Sequence, residues 1–376
     1  MDTNILSEIV GRAGLISLNR PRALNALSLA MVRDLTQALL RMRDDPAVLV
    51  VGLRGMGKGA SPDTPQPFGA FCAGGDIRFF HAAARAGNPE LEDFFTEEYA
   101  LDHLVHSYPK PVVAFMDGVV MGGGMGIAQG ASARIVTERT KMAMPETGIG
   151  LFPDVGGGHF LSRCPGHVGE YLALSGLVID GHQAVAVGLA DQAVASSRLG
   201  NLWDALSEYG SAEADTTFGE PEPDGPAQAR DAEPDMLESA RIDRYFGLDS
   251  VAAIVAALEA DAPDDPWAQK TAAALRGRSP LMLHVTLEQI RRARALELPD
   301  DLRMERDLVR HCFHPAHLRR AGAASEVVEG IRALAVDKDH APQWNPARIE
   351  DVTPAMVEPF FVSPWPAHAH PLRELR

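Results

Sequence analysis

The spacing of hydrophobic residues changes along this chain, and each change predicts an element. Leu15 to Leu18 form a short apolar run that stops at Asn19-Arg20-Pro21. Beyond it, Met31, Leu35, Leu39 and Met42 recur at helical spacing behind Ser28, a residue type suited to capping a helix N-terminus. Pro46 closes that helix, and Val48 to Arg54 is a continuous β-branched run that reads as a buried strand. A helical stretch from Pro89 to His106 is followed by another buried strand, Pro111 to Phe115. The glycine cluster Gly122-Gly123-Gly124-Met125-Gly126 then leads into a helix through IAQGASARIV. Strands alternating with helices predict an α/β fold with crossover connections. Helical spacing returns around 160–175 and 181–187, and it dominates over 249–260, 266–276, 280–296 and 299–312.

Two stretches follow neither period. Residues 55–70 are rich in Gly and Pro and read as a loop. Residues 209–235 are acidic and rich in Pro, Gly and Ala, the composition of a solvated insertion or linker. The expected organisation is an α/β core over 1–200, an acidic linker over 201–235, and a helical region over 236–376 packing on the core.

Composition narrows the class of function. Of 376 residues, 46% are hydrophobic and 23% charged, a globular balance with enough apolar mass for a core without staples. The formal charge of −16 argues against a surface built for nucleic acid or an anionic membrane. No apolar run is long enough to span a bilayer, and the start MDTNILSEIVGRAG lacks a secretory pattern. Three cysteines without a C-x-x-C pair suit a reducing compartment. These features lead to the expectation of a cytoplasmic protein acting on a small molecule, with homo-oligomerisation left open.

Several tempting motifs fail on chemistry. Gly52, Gly57 and Lys58 begin a phosphate-binding loop, but Gly59 replaces its Ser or Thr, and Pro62, Pro65 and Pro67 forbid the helix it needs. His311, His314 and His317 could ligate metal, yet Pro315 breaks their helical register and no metal site is expected. No Ser or Cys sits in a G-x-S-x-G elbow, which disfavours a serine hydrolase.

Two glycine-bearing segments remain, Phe71-Cys72-Ala73-Gly74-Gly75-Asp76-Ile77-Arg78 and the run at 122–126. One backbone N–H from each would make an oxyanion hole. On pattern alone, Asp76 as a simple helix cap and the glycines as turns stay equally open. Glu146 and Asp154 lie on Gly- and Pro-rich loops flanked by apolar residues, where a carboxyl tends to a raised pKa and can act as base or nucleophile, although for any single Glu or Asp a surface acid is the commoner explanation.

LISLNRPRALNALS, FCAGGDI, KPVVAFMDGVVMGGGMGI and AMPETGIGLFPDVGGGHFLSR, in that order, resemble the crotonase (enoyl-CoA hydratase/isomerase) superfamily. GLFPDVGGG, FFTEEYALDHLV, RSPLMLHVT, the Met304-Glu305 helix, EVVEGIRALAVDKDHAPQW and the final FF…SPWP resemble its 3-hydroxyisobutyryl-CoA hydrolase branch. The resemblance implies a ββα spiral core with a helical C-terminal region. It also implies hydrolysis of 3-hydroxyisobutyryl-CoA to 3-hydroxyisobutyrate and CoA, a step of valine catabolism. Coenzyme A would enter as part of the substrate, with no separate cofactor.

By the same resemblance, Gly75 and Gly123 hold the thioester oxygen, Glu146 is the catalytic acid, Asp154 its neighbour, and Glu98 contacts substrate. The Arg20 to Ala26 stretch, with Arg22 and Ala23, and the Ala73 to Ile77 stretch, with Asp76, would line the CoA site, mostly through backbone atoms. Hydratases of the family carry a second glutamate three residues past the second glycine of the GGG run. That position is Gly126, so hydration is disfavoured. Two other readings stay open: an isomerase or hydratase of the same superfamily, and a catalytically idle acyl-CoA-binding protein.

Overall fold

In the computed structural model, residues 4–58, 68–209 and 238–376 are described. Most of the acidic 209–235 segment and the middle of the 55–70 loop lie outside the described residues. The chain groups into two units. One collects Met1–Gly75, Ala100–Ala143 and Val178–Met236, and the other Asp76–Tyr99, Met144–Leu177 and Leu237–Arg376.

The strands all belong to the first unit. In chain order they are β1 (Ile5–Val10), β2 (Ala13–Leu18), β3 (Val50–Gly55), β4 (Val112–Met116), β5 (Val119–Met121), β6 (Ala133–Val136), β7 (Lys141–Ala143) and β8 (Gln192–Ala193). Six form one sheet in the order β1-β2-β3-β4-β6-β8, antiparallel only at the β1–β2 hairpin. Every residue of β2 and β4 is buried, which is why both read as continuous apolar runs.

On one face of this sheet, Leu202, Trp203 and Leu206 of helix Leu199–Tyr209 close a core with Leu15, Val50, Val113, Phe115 and Ile135. The Arg54 guanidinium stacks 4.1 Å over the Trp203 ring. Helix Leu29–Asp44 is capped as its sequence predicts, Ser28 Oγ accepting the Met31 N–H. Its Met42 packs so closely on Gly14 that any side chain there would collide.

A second layer runs through the same unit. β5 and β7 pair in parallel, Cys72 bridges to Val120, Gly75 to Leu27, and Met142 to Ile179. β4 then β5, and β6 then β7, each give one strand to the large sheet and the next to this small layer. The expected α/β class with a repeating strand–strand–helix spiral is therefore present.

Two local expectations need correction, and one strand was not foreseen. The helix after the glycine cluster covers only Gly123–Gln129, and Ala133–Val136 is a strand. The backbone at Gly130 passes too close to the His106 backbone for a side chain, and the helix ends there. The stretch at 160–175 is two helices, Gly157–Leu161 and Val168–Ser175, because Pro165 withholds a donor between them. β1 escaped the reading because five of its six residues are exposed and no apolar alternation marks it.

The second unit is helical. Helices Pro266–Arg276 and Pro280–Ala293 open on Asp265-Pro and Ser279-Pro, the cap side chain accepting backbone N–H groups while proline occupies the first turn. Phe80 of Ile77–Ala86, Phe94 and Phe95 of Glu90–His106, and Phe313 of Leu298–Phe313 pack ring against ring, with centroids 4.8 to 5.5 Å apart. Beside them Arg306, 2% exposed, donates to Glu92 at 2.6 Å and to Thr96 Oγ1 at 3.0 Å. Glu92 also accepts from Arg310 at 2.6 Å and pairs with His314 at 3.0 Å. Burial works to raise the Glu92 carboxyl, but His314, Arg306 and Arg310 together hold it at about 2.

Candidate active site

In the first unit, the 20–26 turn and the 72–75 segment meet. Asn25 is the staple, with its backbone in the left-handed region at φ +57°. Its buried amide accepts the Arg20 N–H at 2.8 Å and donates to the Ala70 carbonyl at 2.7 Å. The Ala73 N–H donates to the Leu24 carbonyl at 3.0 Å, and the Leu27 N–H to the Gly74 carbonyl at 2.8 Å. Arg22 and Ala23 sit in the short turn Pro21–Ala23, Arg22 exposed and Ala23 half-buried. Asn25 lies inside the expected Arg20 to Ala26 stretch but was not singled out there, although Asn is the non-glycine residue best suited to φ > 0.

The two glycine segments come together in the same unit. The Cys72 N–H donates to the Val119 carbonyl and the Met121 N–H to the Cys72 carbonyl, both at 3.0 Å. Gly74 has φ +95°, and a methyl on it would sit 3.4 Å from the Gly123 nitrogen. A side chain on Gly124 would run into the Cys72 carbonyl, so glycine is required for this approach. Gly123 begins the helix Gly123–Gln129, where an N–H has no intrahelical acceptor. Among the described residues, neither the Gly75 nor the Gly123 N–H donates a hydrogen bond. Both N–H groups are thus left available to an acceptor.

The carboxyl groups belong to the second unit. Glu146 opens the 3₁₀ turn Glu146–Ile149, closed by Gly150 at φ +73° and by the Leu151 N–H donating to the Glu146 carbonyl at 3.0 Å. Its side chain is buried and, among the described residues, Oε2 has no hydrogen-bond partner. Asp154 precedes Val155 and Gly156, both at positive φ, and its buried Oδ2 accepts the Tyr99 hydroxyl at 2.7 Å. Burial raises Asp154 to about 6, against the pull of the Tyr99 hydrogen bond. Burial first, and then the Asp154 charge, push Glu146 well above the ordinary carboxylate range. Tyr99 is driven up by burial and by Asp154, so its phenol keeps its proton and acts as a donor.

Glu98, next to Tyr99 on helix Glu90–His106, is likewise buried, and its charge contributes to the Tyr99 shift. Asp76 caps helix Ile77–Ala86, its carboxylate accepting the Phe79 N–H at 3.4 Å, and Ile77 is the first helical residue. Tyr99 itself was missed, though it lies inside the FFTEEYALDHLV stretch. Among the described residues, no cluster of three or more His, Cys, Asp or Glu is placed to hold a metal.

The second unit thus holds a buried acid of raised pKa and a second acid held by a phenol, and the first unit holds two backbone amides that donate no hydrogen bond among the described residues. The sequence model of enoyl-CoA hydratase/isomerase matches residues 13–361. A curated relative from Arabidopsis thaliana, 3-hydroxyisobutyryl-CoA hydrolase 1, is 38% identical over 96% of this chain and 91% of its own. The mitochondrial 3-hydroxyisobutyryl-CoA hydrolase of Danio rerio is 37% identical over 96% of this chain and 90% of its own. A solved structure titled a carnitinyl-CoA dehydratase, from Mycobacterium thermoresistibile, superposes with a TM-score of 0.84 at 36% identity and covers 100% of both chains. With the glycine segments, Glu146 and Asp154 inside the matched span, this chain belongs to the enoyl-CoA hydratase/isomerase family.

Proposed function

We propose that this protein hydrolyses acyl-CoA thioesters, with 3-hydroxyisobutyryl-CoA as its substrate. The carrying observation is the buried Glu146 beside Asp154, with glycine at position 126. Hydration at a two-glutamate site needs one carboxylate and one acid working on the same water, and Gly126 removes the second. The small residue leaves room for a branched 3-hydroxyacyl group instead. The relatives named as 3-hydroxyisobutyryl-CoA hydrolases support this reading along nearly their whole length.

In this reading the Gly75 and Gly123 amides take up charge developing on the thioester oxygen. Glu146 attacks the carbonyl carbon, the C–S bond breaks, and CoA leaves as a thiolate that takes up a proton. Water then cleaves the mixed anhydride to acid and free Glu146. The other route has Glu146 take a proton from water, which attacks directly. Where water attacks the anhydride at the Glu146 carbonyl carbon, single turnover in ¹⁸O water separates the routes, because only that cleavage puts label into the Glu146 carboxylate. Asp154, aimed by Tyr99, orients the substrate hydroxyl or assists proton transfer. Glu98 contacts the acyl portion, and Arg22, Ala23, Ala73, Asp76 and Ile77 line the path of CoA.

The test is free-thiol release from 3-hydroxyisobutyryl-CoA by wild type and Glu146→Gln. A wild-type rate that drops about 100-fold or more in the variant supports the assignment. Equal rates remove Glu146 from its role. The dehydratase title of a structure 36% identical favours a second reading, acyl-CoA hydration or dehydration. That chemistry releases no thiol, so hydration of an enoyl-CoA without thiol release would replace the first reading.

A further inference from the structure

The loop carrying Asp154 is held by two acids that no catalytic step uses. Glu305, on helix Leu298–Phe313, accepts the Gly156 N–H through Oε2 at 2.7 Å and the Gly158 N–H through Oε1 at 2.8 Å. Gln289 Nε2 donates to the same Oε1 at 3.0 Å and to the Pro153 carbonyl at 2.7 Å. One helical turn before Glu305, Asp301 Oδ2 accepts the His159 N–H at 2.8 Å. Asp301, Glu305 and Gln289 are each fully buried. Together they bond to the backbone at 153, 156, 158 and 159, bracketing Asp154 and Val155, a non-glycine residue held at positive φ.

We infer that Asp301 and Glu305 are positioning residues that share one proton, with Asp301 the acid and Glu305 the carboxylate, and that this clamp aims Asp154. The inference rests on the hydrolase reading for its kinetic consequence. Its structural part stands apart from that reading. The assignment of the proton follows from counting donors. Glu305 receives three N–H groups, which want an anion, while Asp301 receives one. Asp301 Oδ1 is buried one helical turn from Glu305 and has no hydrogen-bond partner among the described residues, so it is the oxygen left to carry the proton. Burial drives both carboxyls upward, Glu305 also through the neighbouring Asp301 charge, and Asp301 reaches about 7 against the pull of the His159 hydrogen bond. Two adjacent buried anions would leave that repulsion uncompensated, and one retained proton relieves it.

The arrangement predicts unequal variants. Asp301→Asn copies the protonated acid, its oxygen accepting from His159 and its amide donating to Glu305. Glu305→Gln keeps the shape but turns an NH₂ toward one of the N–H donors it should accept from. The test combines hydrogen exchange over residues 151–161 with kcat and KM for thiol release. Glu305→Gln should lose local protection and about tenfold or more in kcat at nearly constant KM. Asp301→Asn should keep both close to wild type. If Glu305→Gln does not fold, Gln289→Leu carries the test, with faster exchange near residue 153 and a smaller fall in kcat. Equal damage from Asp301→Asn and Glu305→Gln overturns the proton assignment. Wild-type exchange in Glu305→Gln, or in Gln289→Leu as its substitute, overturns the clamp. If wild type released no thiol at all, the hydrolase reading would fall while the exchange experiment still decided the clamp.

Discussion

Replacing Tyr99 with phenylalanine removes one oxygen from a buried site and changes little else. That oxygen donates to Asp154 Oδ2 at 2.7 Å. A hydrogen bond to a charged acceptor contributes about 1.5 to 3 kcal/mol. It stabilises only the ionised carboxylate, so losing it must raise the pKa. At 1.36 kcal/mol per unit, the rise is about one to two units. Asp154, at about 6 in the intact protein, should therefore titrate near about 7 to 8 in Tyr99→Phe.

The same shift appears in stability. Asp154 titrates higher in the folded chain than in the unfolded one, so folding is favoured below the unfolded value and loses support as pH rises through the folded value. The variant's extra penalty should be small near about pH 5 and grow by about 1.5 to 3 kcal/mol between about pH 6 and 8. The assay is carbon NMR of labelled aspartate side chains, with Asp154→Asn identifying the resonance, alongside urea unfolding at several pH values. An Asp154 titration that stays put or moves toward acid would refute the reasoning. So would a stability penalty independent of pH.

Other perturbations probe different parts of the same argument. Gly124→Ala should force the Cys72 carbonyl away from the helix start, costing about 1 to 3 kcal/mol by overpacking. Its thiol-release rate should fall further than that stability loss explains, which thermal unfolding and initial rates would check. Glu92, held at about 2 by its cations despite burial, lends stability present above the unfolded carboxylate value and lost as pH falls toward about 2. Glu92→Gln should thus be less stable than wild type by about 2 to 3 kcal/mol at neutral pH. The two should converge near about pH 2 in acid unfolding followed by circular dichroism. A constant difference down to acid pH would show that its ion pairs contribute nothing.

How much of this could be read from sequence follows the range of the forces involved. Helix and strand period, proline stops, and Ser or Asp caps act within a few residues, so Ser28, Asp265 and Ser279 announce their helices directly. The glycine segments, Glu146 and Asp154 were visible because their neighbours form ordered motifs. What the sequence could not convey is which distant groups meet. Tyr99 finds Asp154 across 55 positions, and Glu305 reaches Gly156 across 149. Nor does any local pattern say that 76–99 and 144–177 pack with the C-terminal helices. Hydrophobic patterning specifies which face of an element is buried, but not against which partner. The chain's crossovers decide that, and with it which buried carboxyls share a neighbourhood. Their raised pKa values, and the proton one of them keeps, are properties of that neighbourhood and of no residue alone.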